Sequence, residues 1–306
     1  MNYINQLKSI LTASGWSQEE LARELEVSFP ALNAWLNNRS KPRKNSLIKI
    51  KRVFLSVVGS EEVDIEDVLK AKEKALKHKI SAINIVEDKQ KLDKLSLYLT
   101  YHTNTIEGST MTLSDVEDVL FENKSLSNRS GVEQAEARNH QAALLWVLNE
   151  IVYENRALRL DDNFILGIHL RLMNGIISDA GQYREHTVRI MGSHVTLANW
   201  QKVPELMSKL TKDLSKQSED KIFDLAKVHS FFEQIHPFSD GNGRTGRLLM
   251  LAQALKWGLT PPIVEKERKF AYYKYLEMAQ SKRNLLPLEI FIANSIDFTN
   301  KILTDK

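Results

Sequence analysis

Apolar residues recur at three- and four-residue spacings along nearly the whole chain, and long alternating runs are missing. The pattern therefore predicts helix almost throughout. It is clearest in KIFDLAKVHSFFEQIH and in the run from Arg244 to Trp257. Near the N-terminus two short helices are predicted, about Ser17 to Leu25 and about Ser28 to Asn37, with a tight break at Glu26 and Val27. Ser17 is an N-cap with Glu20 at the capping-box position, and Leu21, Ala22, Leu25, Leu32 and Trp35 supply a buried face. Short helices this close pack at a steep angle, the helix-turn-helix arrangement. Further on, LDKLSLYLTYHTNTIE should stop at Gly108, a residue suited to a left-handed C′ position. TLSDVEDVL offers Ser114 as an N-cap with Glu117 three residues later. The one hairpin candidate is VRIMGSHV, where Gly192 and Ser193 would turn between two short strands. GSEEVDIEDVLKAKEKALKHK, near residues 59–79, reads as a solvated helical connector. The expectation is an all-α chain with a helix-turn-helix domain at 1–58, a connector at 59–89 and a larger helical domain at 90–306.

Composition narrows the chemistry. The chain has 306 residues, 42% of them apolar, enough for two units and a sizeable core. Seven prolines and twelve glycines are few for an all-β chain of this length. No run of about 18 apolar residues occurs, and Met1 is followed by a polar stretch rather than a signal core, so a cytoplasmic protein without a membrane span is expected. The absence of cysteine excludes disulfides, thiolate catalysis and cysteine-based metal sites. The net charge of +3 is unevenly spread, since residues 1–58 carry nine Lys/Arg against four Glu. A basic small unit joined to a mildly acidic large one implies different partners for the two.

HPFSDGNGRTGR, residues 236–247, sets a problem of charge placement. A helix beginning after its glycines puts Arg244 and Arg247 in the first turn, where the macrodipole disfavours cations by a few tenths to about 1 kcal/mol. Asp-Gly and Asn-Gly usually mark hairpins. Here both flanks are helical, so the glycines join two helices. A glycine-rich loop entering a helix N-terminus is an anion cradle, and two added arginines suit a polyphosphate. His236 can take a proton near neutral pH, and Asp240 is a hard oxygen ligand for a Mg²⁺ that keeps most of its waters. Asn242 can add an amide contact, while Gly241 and Gly243 let the backbone approach closely. His229, seven residues before His236, lacks an acidic or cysteine partner at metal-ligand spacing. His186 and His194 read as surface residues, and Trp200 and Tyr183 as packing.

HPFSDGNGRTGR resembles the Fic family signature HxFx(D/E)GNGRxxR at every specified position. GQYREHTVRIMGSHV looks like that family's approach to its flap, although TLANW stands where many members carry prolines. The resemblance covers about two-thirds of the chain and implies an all-helical Fic core with a small β-hairpin flap. It also implies transfer of AMP from ATP to a protein hydroxyl, on Tyr, Ser or Thr, with Mg²⁺. By position, His236 would deprotonate the hydroxyl, Phe238 would anchor the loop and Asp240 would hold the metal. Gly241, Asn242 and Gly243 would bind the nucleotide with Arg244 and Arg247. Val188, Ile190, Gly192 and His194 would dock the target's extended segment by strand addition.

Glu107 ends its helix where a carboxylate is also unfavourable. TNTIEG, residues 103–108, resembles the family's inhibitory-helix motif (S/T)xxxE(G/N), which assigns Thr103 and Glu107, in a helix of about 91–107, to a brake on Arg247. The same site could instead remove AMP by hydrolysis, with Glu107 activating water, or could serve a DNA-binding regulator as an ATP sensor. The N-terminal unit resembles phage-repressor-like helix-turn-helix domains, including Gln18. In such a domain the second helix enters the major groove and would present Ser28, Phe29, Asn33 and Asn37, with Arg39, Lys41, Arg43 and Lys44 left for phosphates. A homodimer would serve both DNA binding and regulation.

Overall fold

The computed structural model describes residues 2–60, 62–122, 124–154, 158–190, 195–216 and 218–305. Among them are fifteen α-helices and no strand, apart from one isolated bridge between Lys79 and Leu259. None of these helices is long and apolar enough to cross a membrane.

Helices α1 (Tyr3–Ser14), α2 (Gln18–Glu24), α3 (Phe29–Leu36) and α4 (Lys44–Val57) enclose a core of their own, including Leu7, Leu21, Leu32, Trp35 and Ile50. The capping box forms as the spacing predicts: Ser17 Oγ accepts from the Glu20 N–H, and Glu20 returns a bond to the Ser17 N–H. Glu26 takes a left-handed φ of 52°, which reverses the chain so that α3 can start at the Ser28 cap. The unit rests on the larger domain through a 3-10 turn, Lys266–Arg268. Arg268 pairs there with Glu265 at 2.8 Å and with Glu24 of α2 at 3.6 Å, while Tyr275 donates to the Leu55 carbonyl at 2.6 Å.

The segment expected as a solvated connector is packed instead. Helix α5 (Ile65–Ala75) lies along α15 (Leu286–Thr304), and Val68, Lys72 and Ala75 form its buried face. Lys72 bonds Asp220 and, at 2.5 Å, the buried Glu289. The highly charged composition conceals an i, i+4, i+7 stripe. Helix α6 (Ala82–Val86) buries Ala82 and Ile85 in the main core.

That core joins α7 (Lys89–Ile106), α9 (Gly131–Glu154), α10 (Asp162–Met173), α11 (Val203–Leu214), α12 (Lys221–Ile235) and α13 (Asn242–Lys256). A second cluster joins α12, α13, α14 (Lys269–Lys282) and α15. Helix α13 lies between the two, and every residue from Arg244 to Leu255 is buried.

Three local readings have clear outcomes. α7 ends in a Schellman motif: Gly108 (φ 110°) donates to Thr105 O and Ser109 donates to Asn104 O. Helix α8 (Leu113–Phe121) is capped by Thr112 with Asp115, one overlapping motif earlier than Ser114 with Glu117. Arg129 holds Asp115 at 2.6 Å, and this start turns Val116 and Val119 inward. The hairpin is absent from the described residues. Val188 to Ile190 and Val195 to Asn199 form no strand, and Gly192, Ser193 and His194 lie outside the described residues. A two-stranded ribbon with no sheet to join is marginal by itself, and these arms are held by a side chain, as shown below.

Removal of Lys72 leaves Glu289 buried without its cation. Lys72→Ala should therefore lower stability by about 3–5 kcal/mol, read from the denaturant midpoint, with partial recovery in Lys72→Met/Glu289→Gln.

Candidate active site

Helix α12 ends and α13 begins within six residues, so orphan carbonyls of one helix face orphan N–H groups of the other. His236 makes the turn at φ 50° and ψ 62°, donating its N–H to Phe232 O at 2.9 Å. Left-handed backbone at a non-glycine residue costs on the order of 1 kcal/mol and persists only where the surroundings over-determine it. The surroundings do so carbonyl by carbonyl. Arg184 donates Nε to His236 O at 2.7 Å and Nη2 to Ile235 O at 3.3 Å, and its backbone N–H bonds Pro237 O at 2.9 Å. Asn242 binds Phe238 both ways, accepting from its N–H at 2.8 Å and donating to its carbonyl at 2.9 Å. Thr245 Oγ1 donates to Gly241 O at 2.9 Å.

His169 closes the list. Its ring lies flat on Phe238, with centroids 3.7 Å apart and planes 5° apart. Gly181 N–H donates to Nδ1 at 2.9 Å, so Nε2 carries the proton and donates to Asp240 O at 3.0 Å. Burial lowers the His169 pKa to about 4, which keeps the ring neutral and this tautomer fixed.

The same logic assigns His236. Its Nδ1 lies 3.2 Å from Glu233 O, a group that only accepts, so Nδ1 holds the proton and Nε2 presents a lone pair. Burial pulls its pKa down to about 4 despite that bond, and Arg184 pushes the same way. A neutral imidazole with a free acceptor nitrogen is a base at physiological pH.

Two guanidinium groups stand at the N-terminus of α13. Arg244 pairs with Glu136 of α9 at 2.7 Å. Arg247 donates Nε to Thr103 Oγ1 at 2.7 Å and Nη2 to Glu107 Oε1 at 2.5 Å. Both arginines are almost wholly buried, while 32% of the Glu107 side chain remains exposed. Burial alone would raise the Glu107 carboxyl, but the charge and hydrogen bond of Arg247 win and hold it below the ordinary carboxylate value. A Cβ on Gly243 would collide with Glu107 Oε1, so the carboxylate reaches α13 through the space this glycine leaves open. Each partner sits at the wrong end of its own helix, and each neutralises the other.

Asp240 is the exposed member, with 63% of its side chain accessible. Oδ1 accepts from Gly241 N–H at 2.6 Å, and Oδ2 lies 3.9 Å from Arg244 Nη2. Among the described residues no group of three His, Cys, Asp or Glu could enclose a metal ion. A single accessible carboxylate beside two arginines fits Mg²⁺ completed by phosphate and water oxygens, as that ion prefers.

Residues 159–254 match the model of the Fic/DOC family. The chain carries a Fic domain. Residues 7–54 match a helix-turn-helix family model. Among relatives, protein adenylyltransferase Fic of Nematostella vectensis is 33% identical over 207 residues, 65% of this chain and 46% of that protein. That of Culex quinquefasciatus is 30% identical over 203 residues, with 65% and 40% covered. The chain spans less than half the length of these curated relatives. A solved fragment of Fic-1 from C. elegans superposes with a TM-score of 0.67 at 22% identity, over 93% of this chain and 84% of that one. A Fic family protein from Desulfovibrio desulfuricans G20 gives 0.64 at 23%, over 78% and 74%. These likenesses show the fold.

Within the Fic domain the structure gathers His236, Asp240, Gly241, Gly243, Arg244 and Arg247 at one helix junction and brings Thr103 and Glu107 from α7 onto it. Asn242 differs from its expected use. Both ends of its amide are committed to Phe238, which makes it a brace of the loop rather than a free donor. Trp200 and Tyr183 are half-buried; the Tyr183 hydroxyl donates to Asp162 at 2.7 Å and its ring tilts against Phe238. His229 is buried against the Tyr272 hydroxyl at 2.7 Å, and His186 is exposed. Sequence reasoning missed Arg184, His169, Glu136 and Glu233. Arg184, His169 and Glu136 act on backbone or on a partner distant in sequence, and Glu233 is marked only by its burial, so none of the four leaves a local pattern.

In the helix-turn-helix unit Asn33 donates to Gln18 at 3.2 Å, joining α3 to α2. Ser28 caps α3, and Phe29 is 43% exposed. Arg39, Lys41, Arg43 and Lys44 are exposed and make no ion pair among the described residues.

Glu233, one turn before His236, is buried with Oε1 unbonded. Burial raises its pKa to about 7, with Glu107 adding to the rise and Arg247 opposing it. For an acid whose folded pKa is raised, the penalty is absent below about pH 4.5, grows through neutrality and is constant above. Glu233→Gln should therefore match the wild type near pH 4.5 and exceed it by on the order of 3 kcal/mol at pH 8, measured by chemical denaturation at both pH values.

Proposed function

We propose that the chain transfers AMP from ATP to a Tyr, Ser or Thr hydroxyl of a target protein and holds itself in check through Glu107. The observation that carries this reading is the neutral His236, with Nε2 free, beside two buried arginines at the open N-terminus of α13. The relatives named protein adenylyltransferase Fic support it.

In the proposed step the target hydroxyl gives its proton to His236 Nε2 as its oxygen attacks the α-phosphorus. The new phosphorus–oxygen bond forms as the bond to pyrophosphate breaks, and pyrophosphate departs. Arg244 and Arg247 bind the β- and γ-phosphates, and the N–H of Gly243 faces the anion, while that of Gly241 is held by Asp240. Asp240 would hold Mg²⁺, which when bound neutralises phosphate charge. The work is positioning and electrostatic stabilisation at a preorganised site. Glu107 acts by occupying Arg247, which removes one phosphate contact and closes the approach above Gly243.

The helix-turn-helix unit binds DNA in this reading, with Ser28, Phe29, Asn33 and Gln18 toward the bases and the free cations toward phosphates. A cytoplasmic site of action suits a cysteine-free chain, and pairing of two copies would match two operator half-sites.

Labelling of lysate by Glu107→Gly protein with Mg²⁺ and either α-³²P-ATP or γ-³²P-ATP tests the transfer. Only the α-label should enter protein, roughly tenfold or more above wild type, and none with His236→Ala. Equal incorporation by wild type and Glu107→Gly would sink the brake. Label from neither donor would redirect attention to hydrolytic removal of AMP.

For the DNA reading, alanine at both Arg43 and Lys44 should flatten the plot of log affinity against log salt for duplex DNA by about 2. An unchanged slope removes these residues from the interface.

A further inference from the structure

Arg184 is 2% exposed and makes no ion pair among the described residues. A buried cation normally needs a counter-charge, and burial indeed lowers the pKa of this one. The compensation comes from backbone. Two of its bonds end on Ile235 O and His236 O, the carbonyls that terminate α12, where the helix dipole presents its negative end. The guanidinium therefore acts as the C-terminal cap of the helix that delivers His236.

Its remaining donors go elsewhere. Nη1 bonds His186 O at 2.7 Å and Nη2 bonds Ala198 O at 2.7 Å. These two points bracket Val188 and Ile190, the two described residues among the four assigned to target docking. Ala198 is tied a second time, its N–H donating to Gln234 O at 3.2 Å in the last turn of α12. A single planar group thus holds the base and both flanks of the docking segment, and no sheet stands there among the described residues to do so.

We infer that Arg184 is the positioning residue that sets the distance between a docked target hydroxyl and His236 Nε2. The inference rests on the transfer reading above. Four donors in one rigid plane fix four carbonyls relative to each other. A lysine keeps the charge and can cap α12, but its ammonium lacks the fork and cannot hold both ends of the segment. Arg184→Lys should therefore preserve the fold and the nucleotide site while loosening the alignment of target with base. Water needs no docking segment, so it can still attack the α-phosphorus, pass its proton to His236 and release AMP and pyrophosphate.

The test compares Glu107→Gly with Glu107→Gly/Arg184→Lys, each as full chain. Protein-bound α-label, free AMP, ATP affinity and thermal midpoint are measured together. A misplacement of about 1 Å costs roughly 100-fold, so protein labelling should fall by up to that factor. ATP affinity should stay within about twofold, and the ratio of free AMP to protein-bound AMP should rise. A third protein, Glu107→Gly/Arg184→Ala, should regain protein labelling when methylguanidinium is supplied. Labelling of the lysine variant at the Glu107→Gly rate overturns the inference, as does parallel loss of labelling and free AMP. Absence of α-label from Glu107→Gly itself overturns the transfer reading, and the inference falls with it.

Discussion

The site depends on the meeting of two helix ends carrying charge of the wrong sign. Arg247 stands in the first turn of α13, and Glu107 stands just past the last turn of α7. Either charge alone opposes its own helix dipole. Together, at 2.5 Å, they form a buried pair in which the guanidinium is almost fully enclosed and the carboxylate keeps one side to solvent. A buried arginine with no partner would be costly, so the folded chain needs something anionic at this point. Glu107 meets the need from within, and a phosphate could meet it from without. The competition between them follows from electrostatics, whatever the target.

Around this pair the fold is arranged to keep α13 still. The helix lies between two apolar clusters, and its entry loop has each described carbonyl from Ile235 to Phe238, with those of Asp240 and Gly241, bound by a side chain or a neighbouring N–H. Such accounting lets His236 hold a left-handed backbone and lets a neutral imidazole aim a lone pair in one direction. Movement is left to what touches the loop from outside.

Much of this was legible in the sequence, because the chemistry of the loop is contiguous. Histidine, aspartate, glycines and arginines fall within twelve residues, and helical flanks excluded the turn that Asp-Gly suggests. Helix caps were read where one motif stood alone, as at Ser17. Where two overlapped, the selection between Thr112 and Ser114 was made by Arg129 and by which apolar face packed inward. The partners of the loop were not legible. Arg184 and His169 act on backbone carbonyls 52 and 71 residues away, and a carbonyl has no sequence signature. Helix α5 was misjudged because a stripe of three inward positions is hidden by abundant charge, one of the three being a lysine that is itself buried.

Gly243 has a further consequence, in terms of inheritance. The gap at this residue admits Glu107 to the end of α13, and on the proposed reading it admits phosphate as well. A side chain here would press on the Glu107 carboxylate and the Arg247 guanidinium together, so a substitution of this glycine disturbs the restraint and the cation it covers at once. On the proposed reading, the brake can be released by itself from the side of α7. Selection for unrestrained forms should accordingly gather its substitutions in the segment that ends at Glu107 and leave the glycine-rich signature untouched, so that loss of control and loss of activity map to separate stretches of the gene.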